Sequence, residues 1–443
     1  MRWLTVDERR LKGQARRKQV PRQAHAEFYA KKRKTDALTL LRRSARGRMP
    51  ALIKIKNERM AASPFGYFRG AVPVMAADLA TLLNTGLIVQ LCGDAHVRNL
   101  GAYAAEDGRL IFDINDFDET IRGPFEWDLK RMAASLVVAG RESGNRDNIC
   151  EPAVLRFIAS YSERIRAYAV MPVLEMTRDQ ISRIEEVAPV HLALKKALRA
   201  TPMHTLEQLT EIVPGGDTRR PDASRRFKEI KPLLTRLTGP KADEVVASLK
   251  SYRKTLQPQR QHFLAQYRPV DVCFKVVGTG SVGLRDYCIY MEGNGPGDPL
   301  FLQIKEEATS AYAPYSKQSG AAHRNYANQG QRVVEGQRLI QTGTDILLGW
   351  TRIDGRDYLV RRLSDHKASI EVEDLKGEGL LEYAQLCGEL LARGHARSGD
   401  AAQIAGYVGS GEGFANALAQ FGCKYADQTE KDWTELKRTT AEA

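Results

Sequence analysis

A chain of 443 residues is too long for one ordinary compact domain and predicts two or three lobes, and a hydrophobic share of 43% is enough to give them cores. The net charge of +13 is uneven, because residues 1–60 hold 19 Lys and Arg against 5 Asp and Glu while the remainder sums to about −1. No apolar run reaches the ~18 residues of a membrane span, MRWLTVDERR is no signal-peptide start, and six scattered cysteines without a CxxC pair exclude zinc and disulfide frameworks, so reduced thiols and a cytoplasmic location are expected.

From the N-terminus, residues 1–60 form a basic arm built on RRLKGQARRKQVPR and KKRKTDALTLLRRSARGR. Such an arm can hold nucleic acid, anionic lipid or a phosphorylated ligand, or it can be a solvated helix that packs on an acidic lobe. No aromatic residues interleave its basic clusters, as stacking on bases favours, and this tips the balance to the second reading. VMAADLATLLNTG then predicts a helix, LIVQLCGDAH a buried strand entering a loop, and GAYAAEDGRLIFDINDF a hairpin turning at Glu106-Asp107-Gly108. DLKRMAASLVVAG carries Leu129, Met132 and Leu136 at helical spacing. Residues 150–266 read as mostly helical, interrupted by a loop at VPGGDTRRPDASRR. From residue 270 the period switches to two in VCFKVVG, RDYCIYMEG and PLFLQIKEE, three strands of an antiparallel sheet. A helix (QRVVEGQRLIQ), a hairpin turning at Asp354-Gly355 and C-terminal helices, including LLEYAQLCGELLARGHA, complete the chain.

Two stretches carry chemistry. CGDAHVRNLG places Asp94, His96, Arg98 and Asn99 within six residues directly after a buried strand, and a strand that ends so delivers its loop to a site. The following hairpin ends in IFDINDFDE, with Asp113, Asp116 and Asp118, and leads to PFEWDLKR. Phosphoryl transfer needs such a set: a carboxylate to accept the nucleophile's proton, and oxygen ligands converging on magnesium at the phosphates.

GDxHxxN, a strand ending in Asp and a later Asp-Leu at a helix start resemble the aminoglycoside phosphotransferase and choline kinase branch of the protein-kinase fold. The longer run, FDINDFDE with FEWDLKRMAASL, resembles an uncharacterised bacterial family with a domain of unknown function, from PRQAH near residue 21 to IAGYVG near residue 408. The kinase resemblance implies ATP and magnesium as cofactors, Asp94 as catalytic base, Asn99 as a magnesium ligand, and Asp128 as the buried carboxylate bracing the catalytic loop. For the other metal ligand, Asp116 precedes an aromatic residue, Phe117, and lies 12 residues before Asp128, whereas Asp113 lies 14 residues after Asn99 and suits the hairpin length. Asp116 is favoured and Asp113 kept as the alternative. His96 is expected to hold the loop by hydrogen bonds, and His395 and Asp400, in HARSGD, to fold back towards it.

VVGTGSVGLRDYCIYMEG holds Gly278, Gly280, Ser281 and Gly283. In a dinucleotide-binding fold a helix follows such glycines. Here LRDYCIYM alternates like a strand, so the glycines turn a β-hairpin, as in the kinase loop that covers ATP phosphates. Lys305, 22 residues beyond Gly283, resembles the kinase lysine of the α/β-phosphates, and Glu335 is the candidate helix carboxylate to pair with it. The order departs from ordinary kinases, since the catalytic loop at 93 precedes the glycine loop at 278. The expectation is a bilobal, circularly permuted, protein-kinase-like α+β fold. Residues 61–170 and 371–443 build the large lobe, 171–270 a helical insertion, and 271–370 a small β-rich nucleotide-binding lobe. The expected activity is a magnesium- and ATP-dependent phosphotransferase acting on an unidentified acceptor, in first place a small molecule. Nucleotidyl transfer on the same fold and a nucleotide-binding pseudokinase working as an interaction module are the alternatives.

Overall fold

The computed structural model describes residues 3–441 except 182, 183, 185, 214–224, 277, 279, 317–324 and 364–366. The largest hydrophobic core lies among helices Glu126–Glu142, Asp147–Val170, Glu378–Ser398, Ala401–Val408 and Glu412–Ala441. The first of these is buried on nearly every side, so its apolar residues are not confined to one stripe. Two small sheets stand on this core. Strand β1 (Ile88–Leu91) pairs antiparallel with β4 (Ile121–Pro124), and between them β2 (Leu100–Ala104) and β3 (Leu110–Ile114) form the hairpin expected from the Glu106-Asp107-Gly108 turn.

The second core belongs to a six-stranded antiparallel sheet in the order β11-β12-β10-β9-β8-β7. These strands are β7 (Leu234–Leu237), β8 (Arg268–Lys275), β9 (Asp286–Glu292), β10 (Pro299–Glu306), β11 (Gly349–Ile353) and β12 (Arg356–Arg362). Alternate residues serve opposite faces. Val272, Ile289, Leu302 and Ile304 pack under Val245 and Tyr252 on one face, while Cys273, Cys288, Tyr290 and Phe301 meet Leu206 and Phe227 on the other. Phe301, Gln303 and Lys305 therefore share a face of β10. The Asp354-Gly355 turn closes β11 onto β12, with φ of +50° and +70°.

Two expectations hold and gain detail. Residues 150–266 are mostly helical, as expected, but also carry β7 and a two-stranded ladder of β5 (Thr210–Ile212) and β6 (Arg225–Phe227), which the sequence reading did not anticipate. In β7, Leu234 turns inward while Arg236 reaches Asp271 of β8 at 2.9 Å, which seats the segment on the sheet edge. Of the loop expected there, 214–224 lie outside the described residues. The arm fits its second reading, a largely solvated helix packed on the large core, and the structure shows where it docks. Helix Val6–Ala15 lies so close to helix Ala401–Val408 that Gln403 O would stand 1.9 Å from a Cβ on Gly13. Arg17 and Arg22 donate to the carbonyls of Gly406, Tyr407 and Val408, satisfying the C-terminal end of that helix. Arg33 bridges Asp78 and Asp432, each at 2.7 Å. Among the described residues no helix is long and apolar enough to cross a membrane.

Candidate active site

The site is organised by the loop after β1. Asp128, in the first turn of helix Glu126–Glu142, accepts from the amides of Cys92 and Gly93 at 2.9 and 3.0 Å and lies 3.4 Å from His395 Nε2. Gly93 has φ +83°, and Glu119 O would stand 2.2 Å from a Cβ there, so the turn admits only glycine. The next residue, Asp94, projects into a cavity of about 80 Å³, with one carboxylate oxygen held by Arg131 at 2.6 Å (Nε) and 2.5 Å (Nη2). Asp128 and Arg131 are one turn apart on one helix, so a single helical face braces the loop and grips the acid it presents. Burial pushes the Asp94 carboxyl up to about 6 against the pull of Arg131, with Asp116 and Glu119 adding to the rise. His96 Nδ1 accepts from Arg98 N at 3.1 Å and caps the turn Val97–Asn99. Burial, then Arg69 and Arg131, hold this imidazole well below its ordinary range, so it is neutral. Asp400 does not join this cluster, because it caps helix Ala401–Val408 and pairs with Arg9.

Asn99 Nδ2 donates to Asp94 O at 2.7 Å and to Asp116 O at 3.1 Å. Both neighbours are carbonyl oxygens, which only accept, so the amide orientation is fixed. The opposite atom, Oδ1, is a buried acceptor with no partner. Asp116 is half exposed in the cavity wall, with Lys305 Nζ 3.7 Å from its Oδ1. Asp118 holds the same ammonium closer, at 2.5 Å. Burial opposes the charge on Asp116, yet Lys305 and a hydrogen bond with Asp118 keep its carboxyl well below the usual range. Burial and the Asp116 charge push Asp118 up to about 7. The glycine segment faces these groups across the cavity: Gly278, Gly280 and Ser281 line it, with Gly278 at φ +62°. Strands β8 and β9 pair antiparallel, so this segment turns a hairpin, and Thr279 lies outside the described residues.

Three expected residues lie elsewhere. Asp113 is fully buried and ion-pairs with Arg393 at 2.6 Å, so it belongs to the junction of β3 with helix Glu378–Ser398 and offers the cavity nothing. Glu335 accepts from Gln331 within its own helix, and the carboxylates on Lys305 are Asp118 and Asp116. The residue of that helix which reaches the site is Arg332, donating to Asp118 O, Thr120 O and Ala308 O. Gly283, at φ +94°, is held from outside the cavity by Met49 N, which donates to its carbonyl at 2.7 Å.

Sequence spacing assigns no role at the site to Asp118, Arg131, Arg332 or Glu307. The i,i+3 spacing of Asp128 and Arg131, and the repeated acids of DFDE, are the available signals for two of them. Lys56 and Arg69, which also line the cavity, give none, because it is the folding of the arm and of the helix after it that brings them there.

Among the described residues no three His, Cys, Asp or Glu side chains converge as a metal cage. Magnesium does not require one, since it takes one or two carboxylates and fills its octahedron with phosphate oxygens and water. The half-exposed Asp116 carboxylate and the unpartnered Asn99 Oδ1 fit that need.

No curated protein and no solved structure matches the chain. One family does, and its match extends over residues 48–439, beginning later and ending further on than the resemblance read from sequence. The chain belongs to this bacterial family, described as an uncharacterized protein conserved in bacteria (DUF2252).

Proposed function

We propose that the protein is a magnesium- and ATP-dependent phosphotransferase of permuted kinase-like architecture. The observation that carries this reading is one small cavity where Asp94 and Asp116 meet Gly278, Gly280 and Ser281 from a distant part of the chain, with Lys305 paired to the acids. Counting from the strand before the glycine segment, Lys305 lies on the third strand, β10, as in protein kinases. The permuted order is supported by the end of helix Glu378–Ser398: Gln90 N donates to Ser398 Oγ at 3.1 Å, so the helix ends beside β1 although some 300 residues separate them.

In this reading Asn99 and Asp116 hold the metal, which when bound supplies charge neutralisation at the phosphates. Lys305 and the glycine-segment amides orient the phosphate chain. Asp94, with a carboxyl near neutrality, takes the acceptor's hydroxyl proton at its carboxylate oxygen, and Arg131 fixes that oxygen's direction. Neutral His96 holds the loop without competing for the proton.

Calorimetry with magnesium and ATP tests the reading. The wild type should bind ATP only with magnesium, and Asp116→Ala should weaken that binding. Asp94→Asn should bind as the wild type does but lose roughly 10²–10⁴-fold in turnover. A well-folded protein that fails to bind magnesium-ATP at millimolar concentration would overturn the proposal in favour of an interaction module.

A further inference from the structure

The acids of the cavity are each hydrogen-bonded, ion-paired or neutral, whereas two of its basic side chains make no hydrogen bond or ion pair with the described residues. Asp94 is held by Arg131, and Asp116 and Asp118 share Lys305. Glu119 accepts from Ala311 N at 2.6 Å, and burial together with Asp118 pushes the Glu307 carboxyl well up, leaving it uncharged. Lys56, on helix Pro50–Ala61, is 4% exposed and makes no hydrogen bond or ion pair with any described residue. Arg69, at the end of helix Pro64–Gly70, is half-buried and likewise makes no hydrogen bond or ion pair with any described residue, and its Nε is buried without a partner. Burial, with Arg48 adding to it, lowers the Lys56 ammonium to about 7 while Glu119 pulls the other way, so an anion seated between Lys56 and Arg69 restores the full charge of the lysine and gives both side chains the partner they lack.

The position of these cations separates that anion from the nucleotide. Lys305 reaches the acids from β10, whereas Lys56 and Arg69 come from the two helices that face the glycine segment from the arm side, and Arg69 O lies 3.6 Å from a Cβ built on Gly280. Arg69 lines the cavity together with Asp94 and His96, the residues of the loop that presents the proton-accepting carboxylate. Arg131 already neutralises Asp94, which leaves Arg69 available to a ligand.

We propose that Lys56 and Arg69 form an anion subsite for the acceptor, so that the acceptor is a small hydroxyl compound already carrying a phosphate group; this rests on the phosphotransferase reading. The phosphate of such an acceptor lies against the two cations and places its hydroxyl at Asp94.

The test is titration calorimetry with inorganic phosphate on protein saturated with magnesium and a non-hydrolysable ATP analogue. Phosphate should bind to the saturated protein, and Lys56→Met and Arg69→Met should each weaken it about tenfold or more, the range for a hydrogen bond to a charged group. Affinity for the analogue should stay within about twofold, and Arg69→Lys should retain most phosphate binding, separating loss of charge from misfolding. Phosphate that binds only when the analogue is absent, or variants that weaken ATP but not ADP, would assign the cations to the γ-phosphate and overturn the proposal. Absence of phosphate binding to either form of the wild type would also overturn it. Phosphate binding with the same dependence on Lys56 and Arg69, in protein that does not bind the analogue, would sink the phosphotransferase reading and leave the anion subsite standing.

Discussion

Asp94 is pulled two ways: burial raises its carboxyl to about 6, and Arg131, itself fully buried, holds it down from 2.5 Å. A base must be ionised to accept a proton, so kcat/KM should be lost as pH falls through about 6, giving an ascending limb near that value. Removing the guanidinium by Arg131→Met should move the limb upward by roughly one to three pH units, the usual effect of one close opposite charge. A limb that stays in place, in protein whose circular dichroism is unchanged, would remove Asp94 from the role of base. Asp94 and Asp128 stand out in the sequence because the GDxHxxN and EWDLKR runs set them in a recognisable order. Chain spacing does not decide between Asp113 and Asp116, since it favours each on a different count. Only the fold shows Arg393 opposite Asp113.

The element that closes the site is the second half of the arm. Arg48 donates to Val282 O at 2.6 Å, Arg59 to Gly278 O, and Met49 N to Gly283 O, so three carbonyls of the glycine segment are held from one side. The cavity so enclosed, about 80 Å³, suits phosphate groups and ions, whereas pockets for drug-sized ligands run to roughly 300–1,000 Å³. If the cavity takes a nucleotide, as proposed, entry requires the arm and the glycine segment to part. Arg59→Ala and Arg48→Ala should each speed association of a fluorescent ATP analogue in stopped flow, by about threefold or more, since hydrogen bonds to charged groups are worth ~1.5–3 kcal/mol. Unchanged association rates in both variants would mean that this clamp does not gate entry. Alternation makes β8 to β12 legible in the amino-acid sequence, because runs of five to eight residues with period two have few other solutions. Strands β5 and β6, three residues each, and β7, four, are too short to show a period. The arm's docking is illegible for a different reason: its partners are backbone carbonyls and acids at the far end of the chain.

Across the whole molecule the arm changes role along its length. Up to residue 36 it straps the large core: helix Val6–Ala15 covers helix Ala401–Val408, and Arg33 neutralises Asp78 and Asp432. Around residue 48, where the family match begins, it reaches the glycine segment and the cavity. Deleting residues 1–36 should therefore lower thermal stability while leaving magnesium-ATP binding in place. The loss should depend on pH in a defined direction. Burial raises the Asp78 carboxyl even with Arg33 present, and without that guanidinium it rises further. A raised carboxyl favours the native state when protonated and disfavours it when ionised, so the deletion should cost more stability at pH 8 than at pH 5. Stripping one partner from a buried pair commonly costs ~3–5 kcal/mol, and Arg33→Met in the full chain should reproduce most of the effect. Calorimetric melting at the two pH values, with ATP titrations on the same samples, reads both parts. A deletion that keeps its melting temperature but loses nucleotide binding would reverse the assignment and make the first half of the arm part of the site.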